Sequence, residues 1–552
     1  MLEQIGQEIS EIFYKYLAVR SDTGTGEENN TDQFFRDRFV SEPYFLKNPG
    51  HFGTYTMESD ALNRSINWAL VKNSGETTVV LLHHSDTVGT EDYKEFSALA
   101  RSPDALTAEF RGRAIDLSPE ARGDLESDEF VFGHGTADMK AGGAIQIALL
   151  KRFSRHPPFM GNLLLLALPD EENLSLGMRH SSLLMETLKK RFGLKYLLMI
   201  NSEPHQRKTP ALGMLSEGSI GKILPFVYVR GILAHVGQIF SGLNPLNLLS
   251  EIVRRIELNI SLCDVRGREV TPPPTCLSMK DSKNHYDVSL PRSAFACFSV
   301  LTLGTSPEDT LTHLENICSE AVVTVLKEFD QSHSQYRRLL GENLPPISRS
   351  VDVIRFDRLL HSASERGITP NKWKTCLSGV VEKVRSGLQT MPQGTWEVVE
   401  SLLDETQGRD PIITIGFVPP FYPGVTNEDF GDPEHPAMTL ADHLIEYAFD
   451  TMNQNYSKEL FYTGISDLSY SSIQSGSDLE KTLISNMPLY GSVYSIPFDL
   501  IRKNAVPCIN IGPWGKDFHT VTERVHREDL LVTTPRLILE AIRYMLEGQT
   551  DT

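Results

Sequence analysis

Short apolar runs recur along the chain, and each is followed by charged or imidazole side chains. Residues 77–82 lead into His83-His84-Ser85-Asp86, and 163–168 into Pro169-Asp170-Glu171-Glu172-Asn173. Residues 196–200 lead into Asn201-Ser202-Glu203-Pro204, and 506–512 precede Asp517-Phe518-His519. Between these runs the apolar spacing changes to the three-and-four repeat of amphipathic helices. Ile5, Ile9, Ile12, Phe13 and Tyr16 form one such stripe, and 144–150 begin another. Strands alternating with helices predict an α/β fold, a mostly parallel sheet with helices on both faces. Side chains beyond the carboxyl ends of such strands collect on one rim, where ligands bind.

A different pattern fills the middle of the chain. Residues 222–230, 271–279, 295–303 and 412–418 read as strands, and 245–260 and 307–329 as helices. That order, βαββαβ, predicts a ferredoxin-like α+β domain. Residues 330–410 read as a mostly helical insertion within it, and 89–130 as a polar, irregular surface insertion. Helical periodicity resumes at 439–452. The expected organisation is therefore a catalytic domain in two pieces, 1–214 and 428–552, with the second domain inserted at 215–427.

The rim residues carry the chemistry. In a strand alternate side chains share a face, so His84 and Asp86 point one way and His83 the other. Asp138 lies in a glycine-rich turn, Gly133-His-Gly-Thr-Ala-Asp-Met-Lys-Ala-Gly-Gly143, just before an apolar helix. Taken together, His84, Asp138, Glu171, Glu172, Glu203 and His519 form an oxygen-and-nitrogen donor set suited to zinc, cobalt or manganese. So many carboxylates on one rim would repel one another without cations.

Length, 552 residues, allows two cores. A net charge of −19 argues against nucleic acid or an anionic membrane as main partner. Six scattered cysteines without CxxC spacing read as reduced thiols of a cytoplasmic protein. No apolar run approaches the roughly 20 residues of a membrane span.

These motifs in this order resemble the co-catalytic zinc exopeptidases and deacylases. That family includes aminoacylase, acetylornithine deacetylase, succinyl-diaminopimelate desuccinylase and glutamate carboxypeptidase. Length and the enlarged second domain make the chain most similar to its arginine-utilisation, RocB-type members. The resemblance implies two divalent metal ions, one held by His84 and Glu203, the other by Glu172 and His519. It implies that Asp138 bridges them next to a cis peptide, that Asp86 orients His84, and that Glu171 is the general base. It further implies a small amino-acid-derived substrate and a homodimer formed through the inserted domain. One departure stands out: Leu301-Thr302-Leu303 replaces an Asp-x-Arg found in many relatives.

The reading that follows is hydrolysis of an amide bond in an N-acyl amino acid or small peptide. An aminopeptidase or dipeptidase is the alternative, and Glu203, where such relatives tend to carry aspartate, favours a deacylase or carboxypeptidase-like enzyme. A catalytically silent metabolite-binding protein should lack a ligand or the base, and neither is missing. The resemblance also gives His235 the role of stabilising the tetrahedral oxyanion, often from the partner subunit. His235→Ala should then lower kcat by about 10²–10³ with metal content unchanged. Mixing it with Glu171→Gln subunits should restore part of the activity; no recovery in exchanged mixtures would exclude a donor acting in trans.

Overall fold

The computed structural model describes residues 2–58, 60–112, 117–341, 349–406, 411–473 and 477–547. The chain forms two compact units, Met1–Ile220 with Gly424–Gln474 and Pro497–Thr552, and Gly221–Pro423 with Ser475–Ile496.

The first unit is built on an eight-stranded sheet. Its strands are β1 (Phe52–Thr56), β2 (Ser65–Lys72), β3 (Thr77–His84), β4 (Asn162–Leu168), β5 (Lys195–Asn201), β6 (Leu212–Ser216), β7 (Asn455–Glu459) and β8 (Cys508–Asn510), in the order β1-β2-β4-β3-β5-β8-β6-β7. The four central strands β4, β3, β5 and β8 are mutually parallel. Antiparallel pairings occur only towards the two sides. Val79, Val80, Leu81 and Leu82 are all buried, as expected of a strand covered on both faces. Helices Leu2–Leu17, Lys140–Arg155 and Thr534–Glu547 pack one face through Ile9, Phe13, Ile145, Leu149 and Ile538. Each such side chain contributes about 1.5–3 kcal/mol when fully buried.

Helix Lys140–Arg155 comes unusually close to the sheet. A β-carbon on Gly143 would lie 2.7 Å from the His83 ring and 2.9 Å from Tyr16, and one on Gly142 would collide with the carbonyl of Ser202. The Ala-Gly-Gly sequence is therefore what lets the helix meet the ends of β3 and β5.

Residues 89–130 are not an irregular polar insertion. Helices Pro103–Gly112 and Pro119–Ser127 enclose their own apolar cluster, with Tyr93, Phe96, Leu106, Phe110, Leu125 and Phe130. The aromatics are spread thinly among polar residues, so the pattern concealed a small core.

In the second unit a five-stranded sheet runs in the order Thr275–Asp281, Ser293–Thr302, Gly221–Arg230, Ile412–Tyr422, Asp352–Arg355. The last of these is the extra strand, parallel to Ile412–Tyr422. The helix expected over 307–329 continues to Leu340, because no glycine or proline interrupts it before the left-handed cap at Gly341. Helices Phe356–Glu365, Pro370–Arg385 and Met391–Glu405 follow. Leu359, Val398, Val399 and Leu402 from this region pack on Phe226, Tyr228 and Phe295 of the sheet. No helix among the described residues is long and apolar enough to cross a membrane.

His83 illustrates what strand alternation does. Its ring turns away from the rim and Nδ1–H donates to Gln146 Oε1 at 3.0 Å. Burial lowers its pKa from 6.5 to about 3. As pH falls the unfolded chain takes up this proton first, so stability is lost progressively from about pH 6.5 towards pH 3. His83→Gln removes the titration and should flatten the acid slope of unfolding free energy by up to about 1.4 kcal/mol per pH unit. Urea titrations between pH 7 and 4 measure this; parallel curves for the two proteins would exclude His83 as a source of acid lability.

Candidate metal centre

Four strand ends and one turn build the rim. His84 is the last residue of β3, Glu171 and Glu172 follow β4, Glu203 follows β5, and His519 lies beyond β8. Asp138 closes the glycine-rich turn before helix Lys140–Arg155, and its peptide to Met139 is cis.

Asp138 stands at the middle of two donor groups. Its Oδ1 lies 3.0 Å from His84 Nε2, which is itself 3.7 Å from Glu203 Oε1. Its Oδ2 lies 3.3 Å from His519 Nε2, which is 3.0 Å from Glu172 Oε1. One carboxylate thus offers one oxygen to each of two imidazole–glutamate pairs. The ring of His84 is oriented by Nδ1–H, which donates to the Asp86 main-chain carbonyl at 3.0 Å and turns Nε2 towards Asp138. The Asp86 carboxylate is 3.6 Å from Nδ1. It orients the ring from farther off than its own carbonyl does, because its two oxygens accept from the backbone amides of Glu171 and Glu172, both at 3.2 Å. Asp86 therefore also holds the β4 turn that presents both glutamates.

Glu171 is not set apart from the ligand-type atoms by distance. Its carboxylate, His84 and Glu203 bring one donor atom each within 4.8 Å of one another, as do His84, Asp138 and Glu172. Burial, then the charge of Glu203, holds the Glu171 pKa well above its ordinary value. Burial and Asp138 raise Glu203 likewise, and Glu172 in the same sense. Burial would also raise Asp138, but bonds to His519 and His84 lower it. His519 is carried up to about 11 by its bonds to Asp138 and Glu172. This concentration of negative charge away from water is what divalent cations relieve. The donor set fits two of them, each with an imidazole nitrogen, a glutamate oxygen and one oxygen of Asp138.

Several supporting residues were not singled out from sequence. Glu523 is buried and accepts from the amides of Gly135, Ala137 and Asp138 at 3.1, 2.9 and 3.2 Å, pinning the turn that carries Asp138. Arg524 is buried beside it, bonded to Asp124 at 2.7 Å, to the Thr522 carbonyl at 2.9 Å and to Asp517. It steadies the loop in which His519 adopts a left-handed φ of 61°. Arg64 bonds Asp170 at 2.5 Å, Glu28 at 2.8 Å and Asp60 at 2.9 Å, fixing the turn just before Glu171. Asp467 is buried near the rim, where burial raises its pKa to about 7 and its charge adds to that on Glu171 and Glu203. Of these, Glu523 stands close to a donor read from sequence, four residues after His519. His235 belongs to the second unit, on an exposed loop, where Nδ1 accepts from the Gly237 amide at 3.1 Å.

A parallel-sheet rim with two donor groups joined by one aspartate is an arrangement suited to a pair of divalent cations, and the chain's relatives place it among the metal-dependent hydrolases of amide bonds. The family model for Peptidase family M20/M25/M40 matches residues 80–547, and the chain belongs to that family. It is 31% identical over 547 residues to the uncharacterized protein YqjN of Bacillus subtilis (strain 168), covering 99% of this chain and 97% of that one. It is 29% identical over 553 residues to protein RocB of the same organism, covering 97% and 94%. Aminopeptidase PepT from Bacillus cereus ATCC 10987 shares the fold, with a TM-score of 0.50 at 14% identity and 98% of both chains covered.

Glu523→Gln keeps the side chain's shape but turns an amide N–H₂ towards amide donors, so at least one of the three bonds is lost. Loosening the Asp138 turn in this way should weaken metal affinity by roughly 10–100-fold, read by chelator competition. Unchanged affinity would mean that the turn holds itself.

Proposed function

We propose that this enzyme hydrolyses the amide bond of an N-acyl amino acid or small peptide, releasing a free amine, in arginine or ornithine catabolism. The observation that supports this most is the division of Asp138 between two donor groups. In this reading His84 and Glu203 hold one divalent ion and Glu172 and His519 the other, with Asp138 shared; zinc, cobalt and manganese suit such donors. Bound divalent metal supplies Lewis acidity, polarising the scissile carbonyl and making water a competent nucleophile near neutral pH.

The chain's own residues do the rest. Glu171 accepts a proton from the attacking water and passes it to the leaving amine; its carboxylate lies among the ligand-type atoms without belonging to either pair linked by Asp138. Asp86 keeps Glu171 and Glu172 on one turn, so that base and ligand stay a fixed step apart. His235 donates to the oxyanion. Glu203 favours a deacylase or carboxypeptidase-like specificity over an aminopeptidase. A cytoplasmic homodimer completes the reading; on the outer strand of the second unit's sheet, Leu277 and Met279 are 55% and 40% exposed, which supports pairing through that unit.

A screen of N-acyl amino acids and dipeptides with zinc, cobalt and manganese, following amine release, tests the activity. Glu171→Gln should abolish turnover with two metals per chain retained, since the amide cannot accept the proton. Glu172→Gln should instead lower metal content, read by elemental analysis. Identical behaviour of the two variants would overturn this division of roles, and one metal or none in reconstituted protein would overturn the paired centre.

A further inference from the structure

The backbone sets the chemistry of the His235 ring. The Gly237 amide can only donate, so Nδ1 is an acceptor and the neutral imidazole carries its proton on Nε2. One flank of the loop is tied down by main-chain bonds. Ile232 and Leu243 exchange bonds at 2.9 Å, Val236 N donates to Val288 O at 2.9 Å, and Leu290 N to Ala234 O at 2.9 Å. The other flank ends in Phe240, five residues after His235. The Phe240 ring lies 5.5 Å from Phe329, 4.9 Å from His333 and 5.3 Å from Tyr336. Those three follow one another at spacings of four and three, along one face of the outer turns of helix Pro307–Leu340. Arg349 locks the arrangement, donating from Nη2 to the Phe240 carbonyl at 2.6 Å while its guanidinium carbon sits 4.8 Å from the Phe329 ring centroid.

We infer that the outer end of helix Pro307–Leu340, together with Arg349, is the positioning device for His235: it seats Phe240 and so fixes the loop that presents Nε2–H. This rests on the reading of His235 as oxyanion donor. Phe240 and Arg349 are positioning residues that act only through that ring. The lengthened helix thereby has a role that the sheet packing does not give it, because the aromatic face begins at Phe329, where the helix expected from sequence stops.

The test uses the metal-loaded full-length enzyme and four variants: His235→Ala, Phe240→Ala, the double substitution, and Phe240→Tyr. Phe240→Ala should lower kcat by about 10–100-fold, as misplacing a catalytic group does, with KM within about twofold. The double variant should be no slower than His235→Ala, since both losses pass through one ring. Phe240→Tyr should keep most of the activity. Nitrogen-15 histidine spectra give an activity-independent readout: the His235 signal, assigned by its loss in His235→Ala, should show the Nε2–H tautomer and become tautomer-averaged in Phe240→Ala. If His235→Ala turns over normally, the oxyanion role falls while the spectra still decide the positioning. Unchanged spectra in Phe240→Ala, or losses that multiply in the double variant, would overturn the positioning role.

Discussion

The structure of the first unit is governed by the repulsion among acidic groups gathered where water is scarce. Asp86, Glu171, Glu172 and Glu203 stand at the carboxyl ends of parallel strands and Asp138 in the turn beside them, with His84 and His519 against Asp138, Glu172 and Glu203. Such a group stays in place only if each member is held from behind. Backbone amides hold Asp86, Glu523 holds the Asp138 turn, and Arg64 holds Asp170 at the head of the glutamate turn. These contacts cost desolvation and add little net stability by themselves. What they deliver is position, and position is what a site assembled from five separate segments lacks most.

How much of this was legible in sequence depends on how local the signal is. The rim could be read because His84, the Glu171–Glu172 pair and Glu203 each follow closely on an apolar run, and a parallel sheet brings such ends together. The opposite orientations of His83 and His84 follow from the pleat alone. Glu523 and Arg524 could not be assigned roles because their partners lie up to 400 positions away in the chain. Arg64 gives no pattern at all: a buried arginine is recognisable only through the carboxylates that the fold brings to it. The helical pieces of 89–130 were hidden by their polar surface, yet Asp124 within them is the residue that braces Arg524.

The second unit departs from a plain ferredoxin-like pattern in one region. The stretch between the long helix and the last strand adds a parallel edge strand and three helices that cover one face of the sheet. The face of the sheet that meets them is aromatic, with Phe226 and Phe295 stacked 5.5 Å apart and Trp396 stacked 5.8 Å from Phe295. The insertion is thus part of the core of its unit and not an appendage.

Gly142 and Gly143 set a geometrical gauge for the whole rim. A helix face without β-carbons rests on Ser202, one residue before Glu203, and on His83, one residue before His84. The interval between the ends of β3 and β5 is therefore measured off by the Ser202 carbonyl on one side and by the His83 ring, held by its bond to Gln146, on the other. Rotamers elsewhere can drift as a lineage diverges, altering what the enzyme accepts. This interval cannot drift in small steps, because the smallest available increment, one methyl group, already exceeds the clearance. The spacing of the donors is in that sense digital: it is kept whole or it is lost.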